Sequence, residues 1–433
     1  MNRVVTEKEI WENTPSFVLD KLALEENLNT LKDALQKYWP NYKIGYSYKT
    51  CAIPWLLRYL KKEKIYAEVV SPEEFYLAKR IGYEAKDIIY NGPIKTKSTI
   101  EEALSANAVI NLDSQREITW VKEIVGNNPD QQFTVGLRVN FNVEEHCEGE
   151  TVAGKKGNRF GFSYEKKALE NAVNSLAELK NLNISGLHMH VSSKSRSNNL
   201  YSTLARKAIQ IAAELNLQLS YIDIGGGFFA GGDFNSRFYD YIKNIAEELS
   251  EKYTAKNLTL IVEPGASLIA SPISLYSRVI DVKDSFIERL VVTDASRCLI
   301  DPFMHKTSYQ YEHVESGANS FLQSSLSGFL PNELLAGKFL ESRQTKETQT
   351  ICGYTCMEND RLMQLENEQE IKIGDGIIYH TVGSYTICFN PLFIKYLPSV
   401  YLKKENQFVL IREAWKVDNF LTGDISVEYE KDF

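Results

Sequence analysis

Lys49 ends the stretch Lys43-Ile44-Gly45-Tyr46-Ser47-Tyr48-Lys49-Thr50, a short strand that runs into Cys51-Ala52-Ile53-Pro54 and then a helix. A lysine at the C-terminal mouth of a strand, ringed by aromatics that exclude water, is an amine able to condense with an aldehyde. A solitary lysine is more often a solvated surface charge, so the weight rests on what accompanies it. His188-Met189-His190-Val191-Ser192-Ser193 lies at the end of a second strand, Gly225-Gly226-Gly227 follows Tyr221-Ile222-Asp223-Ile224, and Glu263 ends Leu258–Val262 before Pro264-Gly265. Three consecutive glycines let a backbone approach closely and offer its N–H groups to a phosphate, although such a run also serves as a plain turn. His188 and His190, two apart, share a strand face and form half of a metal site, but the neighbouring sequence supplies no third ligand, and none is expected. Glu263 in an apolar strand requires a cation or a strong donor, which a structural ion pair would also provide.

The elements that carry these residues alternate. Lys21–Tyr38 has helical spacing through Leu22, Leu24, Leu28, Leu31 and Leu35, after a strand at Thr14–Asp20. Strands are then predicted at Ile65–Val70, Asp87–Tyr90, Ala108–Leu112, Gln132–Val139, Ile184–Val191, Leu219–Ile224 and Leu258–Val262, with helices such as Pro72–Ile81, Ser114–Val125 and Phe238–Tyr253 between them. Sustained strand–helix alternation predicts an α/β fold, a (β/α)₈ TIM-type barrel over 17–270, with catalytic groups at the C-terminal ends of its strands. After about Pro272 the pattern changes to strands joined by turns, including Ile273–Ser285, Thr348–Cys352 and Phe408–Ile411. Residues 271–433, together with 1–16, are therefore expected to form a mostly antiparallel β domain.

Bulk composition narrows the partners. With 43% hydrophobic and 24% charged residues the chain has the material for a core, and 49 Lys+Arg against 57 Asp+Glu give a net charge of −8 with the signs interspersed. No basic stripe points to nucleic acid and no polybasic run to a membrane, which leaves a small molecule or a protein as partner. Six cysteines without framework spacing, and an N-terminus without an apolar signal core, suggest free thiols and a cytoplasmic location.

An amine, a phosphate cradle, a flat imidazole and a buried carboxylate at four strand ends are the set that pyridoxal 5'-phosphate requires. The chain resembles the pyridoxal-phosphate decarboxylases of the alanine-racemase fold, the ornithine and diaminopimelate decarboxylases, across nearly its whole length. The resemblance is carried by Lys49, Glu68-Val69-Val70-Ser71-Pro72-Glu73-Glu74, Asn158-Arg159-Phe160-Gly161, His190, Ser193, Gly225 to Gly227, Glu263-Pro264-Gly265, Gly353-Tyr354-Thr355-Cys356-Met357-Glu358-Asn359-Asp360 and Gly383-Ser384-Tyr385. It implies Lys49 as Schiff-base lysine, His190 stacked on the cofactor ring, and Ser193, Gly225, Gly226, Gly227 and Tyr385 at the phosphate. It further implies Glu263 at the pyridine nitrogen and Cys356 as a proton donor reaching into the other subunit of a homodimer with shared sites. Decarboxylation is favoured over racemisation because Glu263 keeps the ring a strong electron sink and Cys356 stands where a racemase has its tyrosine; a non-catalytic regulator of the same fold is a further alternative.

Departures from the family bear on the substrate. Met357 replaces the acidic residue that reads a distal amine, and Ala266 replaces an arginine. Substrate choice is therefore expected to rest on Met357, Glu358, Asp360 and Arg159, and to disfavour plain ornithine or lysine. Diaminopimelate and an N-citrylated diamino acid, as in siderophore biosynthesis, are the candidates, their carboxylates met by Lys155, Lys156, Arg159, Lys194, Arg196 or His305. The glycine-rich stretch His146–Asn158 is read as a mobile loop over the site.

Overall fold

The computed structural model describes residues 3–316 and 343–423. They fall into two compact units, one spanning Glu26–Leu268 and the other combining Met1–Glu25 with Ile269–Phe433. Those parts of the expected second domain at 1–2, 317–342 and 424–433 lie outside the described residues.

The Glu26–Leu268 unit is a closed barrel. Its strands are β1 (Tyr42–Ser47), β2 (Tyr66–Val69), β3 (Ile88–Tyr90), β4 (Val109–Leu112), β5 (Phe133–Asn140), β6 (Leu182–His188), β7 (Tyr221–Asp223) and β8 (Thr259–Val262). Each pairs in parallel with the next, and β8 returns to β1 through Leu260↔Tyr42, Ile261↔Lys43 and Val262↔Ile44. The helices between them follow local chemistry. In Pro72–Ile81, Ser71 caps the first turn by accepting from the Glu74 N–H, proline occupies the first helical position, and Gly82 (φ 106°) closes the C-terminus in the left-handed region.

Strand alternation stacks the barrel interior in layers. In the lower layer Ile89, Tyr221 and Ile261 pack together, with Tyr66 and Val109 against them. The Tyr221 ring crosses the interior above Gly136 and Gly186, where an added Cβ would stand 2.1 Å from the ring oxygen and from Cζ respectively. Two residues further along the same strands come Ser47, Glu68, Asn91, Asn111, Arg138, His188, Asp223 and Glu263. The second layer is thus polar at every strand, and it faces the C-terminal mouth.

The other unit is built on a ten-stranded, mostly antiparallel sheet. Its centre is Ile273–Asp284, which pairs antiparallel with Arg289–Thr293, Gly376–Tyr379 and Ser16–Asp20. Ser16–Asp20 also runs parallel to Ser399–Lys404, and Arg3–Val5 pairs with Gln407–Arg412. Residues 17–20, assigned to the barrel from the strand–helix alternation, therefore belong to this sheet. Eight other strands already close the barrel, and a closed barrel offers no edge for another to join. Among the described residues no helix is long and apolar enough to cross a membrane.

The contact between Gly186 and Tyr221 gives a direct check on the lower layer. Gly186→Ala should destabilise the protein by about 2–3 kcal/mol, since the backbone must shift to admit the methyl group. Gly126→Ala, where nothing lies within 4 Å of an added Cβ, should leave stability unchanged or slightly raised. Equal melting temperatures for the two variants would contradict this packing.

Candidate active site

Lys49 lies in the single turn Tyr48–Thr50 that follows β1. Its amine donates to Ser47 Oγ at 2.7 Å and to Glu68 Oε2 at 3.1 Å, and Ser47 donates in turn to Glu68 Oε2 at 2.6 Å. The Lys49 side chain is 42% exposed and that of Glu68 only 1%. The expected aromatic surroundings therefore do not seal the amine from water. Tyr46 and Tyr48 are buried in the wall, Tyr46 bonded to the Cys51 carbonyl and Tyr48 packed edge-on to Tyr83, and the Glu68 carboxylate accepts from the amine.

Glu68 and Glu263 are joined by one amide, since Asn91 Nδ2 donates to Glu68 Oε1 at 3.1 Å and also to Glu263 Oε1. Asn111 donates to Asn91 at 2.9 Å and to Asp223 at 3.3 Å, and accepts from Tyr221 OH at 2.8 Å. Burial and then the charge of Glu263 push the Asp223 carboxyl well above its ordinary range. Burial also opposes ionisation of Glu263, but His188, the Asp223 hydrogen bond and Lys49 outweigh it and hold its carboxyl well below the usual range. The pair therefore keeps one proton, on Asp223, and one negative charge, on Glu263.

His188 and His190 stack with ring centroids 6.1 Å apart and planes 13° apart. Burial, followed by the Arg138 charge, depresses the His190 imidazole well below its normal value, so the ring is neutral. Its Nδ1 accepts from the Gly226 N–H at 3.3 Å, which places the ring proton on Nε2. His188 is not short of neighbours, as its sequence surroundings suggest. Asp223 and Glu263 each bring a carboxylate oxygen so that all three ligand atoms lie within 4.8 Å of one another, an arrangement that could also hold a metal ion. His188 Nε2 is 3.3 Å from Glu263 Oε2 without hydrogen-bonding alignment, and both of its ring nitrogens are buried without a hydrogen-bond partner.

The glycine run forms a bare cradle. A Cβ at Gly225 (φ 73°) would meet His190 Cβ at 2.4 Å, and one at Gly226 would meet the Glu263 carbonyl oxygen at 2.0 Å. Ser193 Oγ accepts from the Arg196 N–H at 2.6 Å, leaving its own hydrogen to donate elsewhere. A phosphate-bearing pyridine fits this set: a glycine run without side chains and the Ser193 hydroxyl for the phosphate, a neutral flat ring for the heterocycle, a single anion for its nitrogen and an amine for an aldehyde, the Gly225 and Gly226 N–H groups themselves being engaged by Asp223 Oδ1 at 2.9 Å and His190 Nδ1 at 3.3 Å.

Residues 23–270 match the family model described as pyridoxal-dependent decarboxylase, pyridoxal binding domain. The chain belongs to this family of pyridoxal-dependent decarboxylases. It is an amino-acid decarboxylase that uses pyridoxal 5'-phosphate. The diaminopimelate decarboxylase of Methanocaldococcus jannaschii is 25% identical over 95% of this chain and 91% of that protein, and the Staphylococcus aureus one 24% identical over 86% and 84%. In fold, the chain matches the solved diaminopimelate decarboxylase of M. jannaschii with a TM-score of 0.80 at 23% identity, covering 97% of this chain and 94% of that one. The Helicobacter pylori diaminopimelate decarboxylase in complex with L-lysine matches at 0.75 and 20% identity, over 96% and 97%.

The barrel unit of this decarboxylase thus brings together Lys49, His190, Ser193, Gly225 to Gly227 and Glu263. The expected mobile loop is pinned: Thr151 bridges Ser193, the Val152 N–H donates to the Ser192 carbonyl at 2.9 Å, and Glu150 accepts from the hydroxyls of Ser195 and Ser197. Under it lies a cavity of about 310 Å³ whose lining includes Asn142, Thr151, Lys156, Asn158, Arg159 and Ser192. Arg159 and Arg138 both stack on Phe160, at 4.5 and 4.6 Å from its centroid. Of the other basic candidates, Lys155, Lys194 and Arg196 are exposed on the barrel unit, whereas His305 belongs to the β unit, 3.2 Å from Asp301.

In the β unit, Cys356 and Glu358 are exposed, Met357 is half-buried, and Tyr385 (φ 55°) is 36% exposed. Asp360 departs from its expected part in substrate choice. It is 3% exposed and accepts from Ser296 Oγ (3.0 Å), the Arg297 N–H (2.8 Å), the Thr355 N–H (3.1 Å) and Thr355 Oγ1 (2.6 Å). With both oxygens occupied inside its own unit, it shapes the turn that presents Cys356. Glu68, Asn91, Asn111, Arg138 and Asp223 were not identified as site residues from the sequence; the available signal was a polar residue two positions after a glycine or apolar residue in every barrel strand.

Glu74, at the start of the helix after β2, is raised to about 7 chiefly by burial; the Val70 N–H bond pulls against this and the Glu68 charge adds to it. A carboxyl raised above its unfolded value of 4.5 contributes stability that is complete below that pH and lost as pH climbs through about 7. Glu74→Gln should therefore match wild type at pH 5 and exceed it at pH 8 by roughly 2 kcal/mol, allowing for the helix N-terminus that favours the anion. Denaturant titrations at the two pH values test this, and a difference that does not change with pH would refute it.

Proposed function

We propose that the chain removes CO₂ from the α-carbon of an amino acid that carries a second carboxylate at its far end. The observation that carries the reading is the meeting, at the mouths of the adjacent strands β1 and β8, of the Lys49 amine and an anionic Glu263 beside a neutral His190. Lys49 would hold the cofactor through its aldehyde. Glu263 sets its single negative charge against the pyridine nitrogen and keeps it protonated; Asp223 holds the neighbouring proton. His190 would supply a flat uncharged face, while the Ser193 hydroxyl and the side-chain-free run Gly225 to Gly227 would receive the phosphate, with the Tyr385 phenol as a further donor. When bound, the protonated cofactor draws electrons from the bond to the departing carboxylate. In a homodimer with shared sites, Cys356 of the partner subunit then delivers a proton to the α-carbon.

Two substrates fit the distal carboxylate. The relatives named diaminopimelate decarboxylase favour diaminopimelate. Met357, which cannot attract an ammonium group by charge, and the cationic Lys156 and Arg159 on the cavity favour an N-citrylated diamino acid. Glu358 is exposed and free to adjust to either.

Lys49→Ala should abolish the visible absorbance of bound cofactor and all CO₂ release; retained turnover would sink the assignment. Mixing inactive Lys49→Ala and Cys356→Ala chains should restore about a quarter of wild-type activity, the statistical yield of one intact site in half of the dimers. No recovery would argue against sharing. Among diaminopimelate, ornithine, lysine, arginine and N-citryl-ornithine, CO₂ should come from the members with a distal carboxylate, and best turnover of ornithine or lysine would overturn that part of the reading. Loss of optical rotation without CO₂ would mark a racemase, and bound cofactor inert toward the whole panel a regulator.

A further inference from the structure

The carboxylate of Glu68 has no part in the steps above, yet it is the acid nearest the reacting amine. It is fixed on both sides. Asn91 holds Oε1 at 3.1 Å and Ser47 holds Oε2 at 2.6 Å, inside a wall that leaves its side chain 1% exposed. Lys49 differs in being partly open to solvent, its side chain 42% exposed, with Nζ donating to Ser47 Oγ at 2.7 Å and to Glu68 Oε2 at 3.1 Å. The directions of the hydrogen bonds are consistent. Lys49 donates to Ser47 and Ser47 donates to Glu68, so the amine reaches the carboxylate both by a direct contact and by a two-bond relay through Ser47. An ammonium cannot attack an aldehyde, because its nitrogen has no lone pair until one proton leaves. A rigid acceptor within hydrogen-bond reach is what that departure requires.

We propose that Glu68 is a catalytic residue, the base that takes the proton of the Lys49 ammonium, directly or through Ser47, each time the lysine forms its bond to the cofactor. One N–H bond of Lys49 breaks, one O–H bond forms on Glu68, and the freed electron pair on Nζ becomes the nucleophile. In the reverse direction Glu68 returns the proton to the departing lysine. The other groups that act on this pair are Glu74 from the helix after β2, Asp223 and Glu263 from β7 and β8, Arg138 from β5, and His190 after β6. All of them persist when only Glu68 is changed, so a comparison with wild type isolates its contribution.

This inference rests on Lys49 as the cofactor's anchor, and the experiment separates the two. Apoenzyme is mixed with pyridoxal 5'-phosphate, and the rate at which the absorbance of the lysine-bound cofactor develops is followed from pH 6.5 to 9. Wild type should show a nearly flat profile. Glu68→Gln, which keeps hydrogen-bonding groups for Ser47 and Asn91, should react about a hundredfold more slowly at pH 7. Its rate should rise about tenfold per pH unit as solvent takes over removal of the lysine proton. Glu68→Asp should recover part of the rate. A Gln variant with wild-type rate and a flat profile overturns the role of Glu68 and leaves the anchor intact, whereas lysine-bound cofactor in Lys49→Ala overturns the anchor itself. If the Gln variant does not fold, Ser47→Ala takes its place. Loss of the relay should slow the same reaction several-fold and make it pH-dependent, and unchanged kinetics would overturn the proton path.

Discussion

One side-chain amide, that of Asn91, holds two buried carboxylates in place. By donating one N–H to Glu68 and the other to Glu263, it fixes the two acids to which the proposed reaction gives the amine end and the ring-nitrogen end. Buried carboxylates this close repel each other, and the barrel relieves the repulsion in several ways. Asp223 is neutral, Glu263 takes the benefit of that proton and of His188, and the charges of Lys49 and Arg138 lie within electrostatic reach. The mouth of the barrel is a polar layer that satisfies itself, and its charge state follows from that requirement.

The lower layer makes the upper one possible. Tyr221 fills the interior only because Gly136 and Gly186 have no side chains, and its hydroxyl orients Asn111, which in turn orients Asn91 and Asp223. A chain of contacts thus runs from an apolar packing decision to the ionisation of Glu263. The loop over 144–158 is linked to the same mouth. It bridges to Ser193 and is anchored through Glu150 to the hydroxyls that open the following helix, so the serine assigned to the phosphate and the wall of the cavity beside Arg159 are tied together.

In the β unit the same economy of polar groups explains the turn that carries Cys356. Asp360 accepts four hydrogen bonds from residues 296, 297 and 355, and a Cβ at Gly353 would strike its carboxylate at 2.2 Å. Arg297 extends this scaffold by bonding Asp301 and the Asn359 carbonyl. An acid expected from the sequence to help choose the substrate is here part of the frame, and the exposed Cys356 and Glu358 are what that frame presents.

The sequence by itself determined the strand–helix alternation, helices such as Pro72–Ile81, the change to β structure after the barrel, and the four strand ends with Lys49, His190, Gly225 to Gly227 and Glu263. These are local properties: hydrophobic period, capping chemistry and glycine freedom act over a few residues and can be read one segment at a time. Only the tertiary structure decided that Ser16–Asp20 pairs outside the barrel, that Asp360 is internal, and that the Glu68 carboxylate attends Lys49. It also decided the layer of Glu68, Asn91, Asn111, Arg138 and Asp223. The physical reason is closure. Asn91 and Glu263 are 172 residues apart, and no local rule relates them until β8 pairs with β1 and the inward positions of eight strands meet on one level.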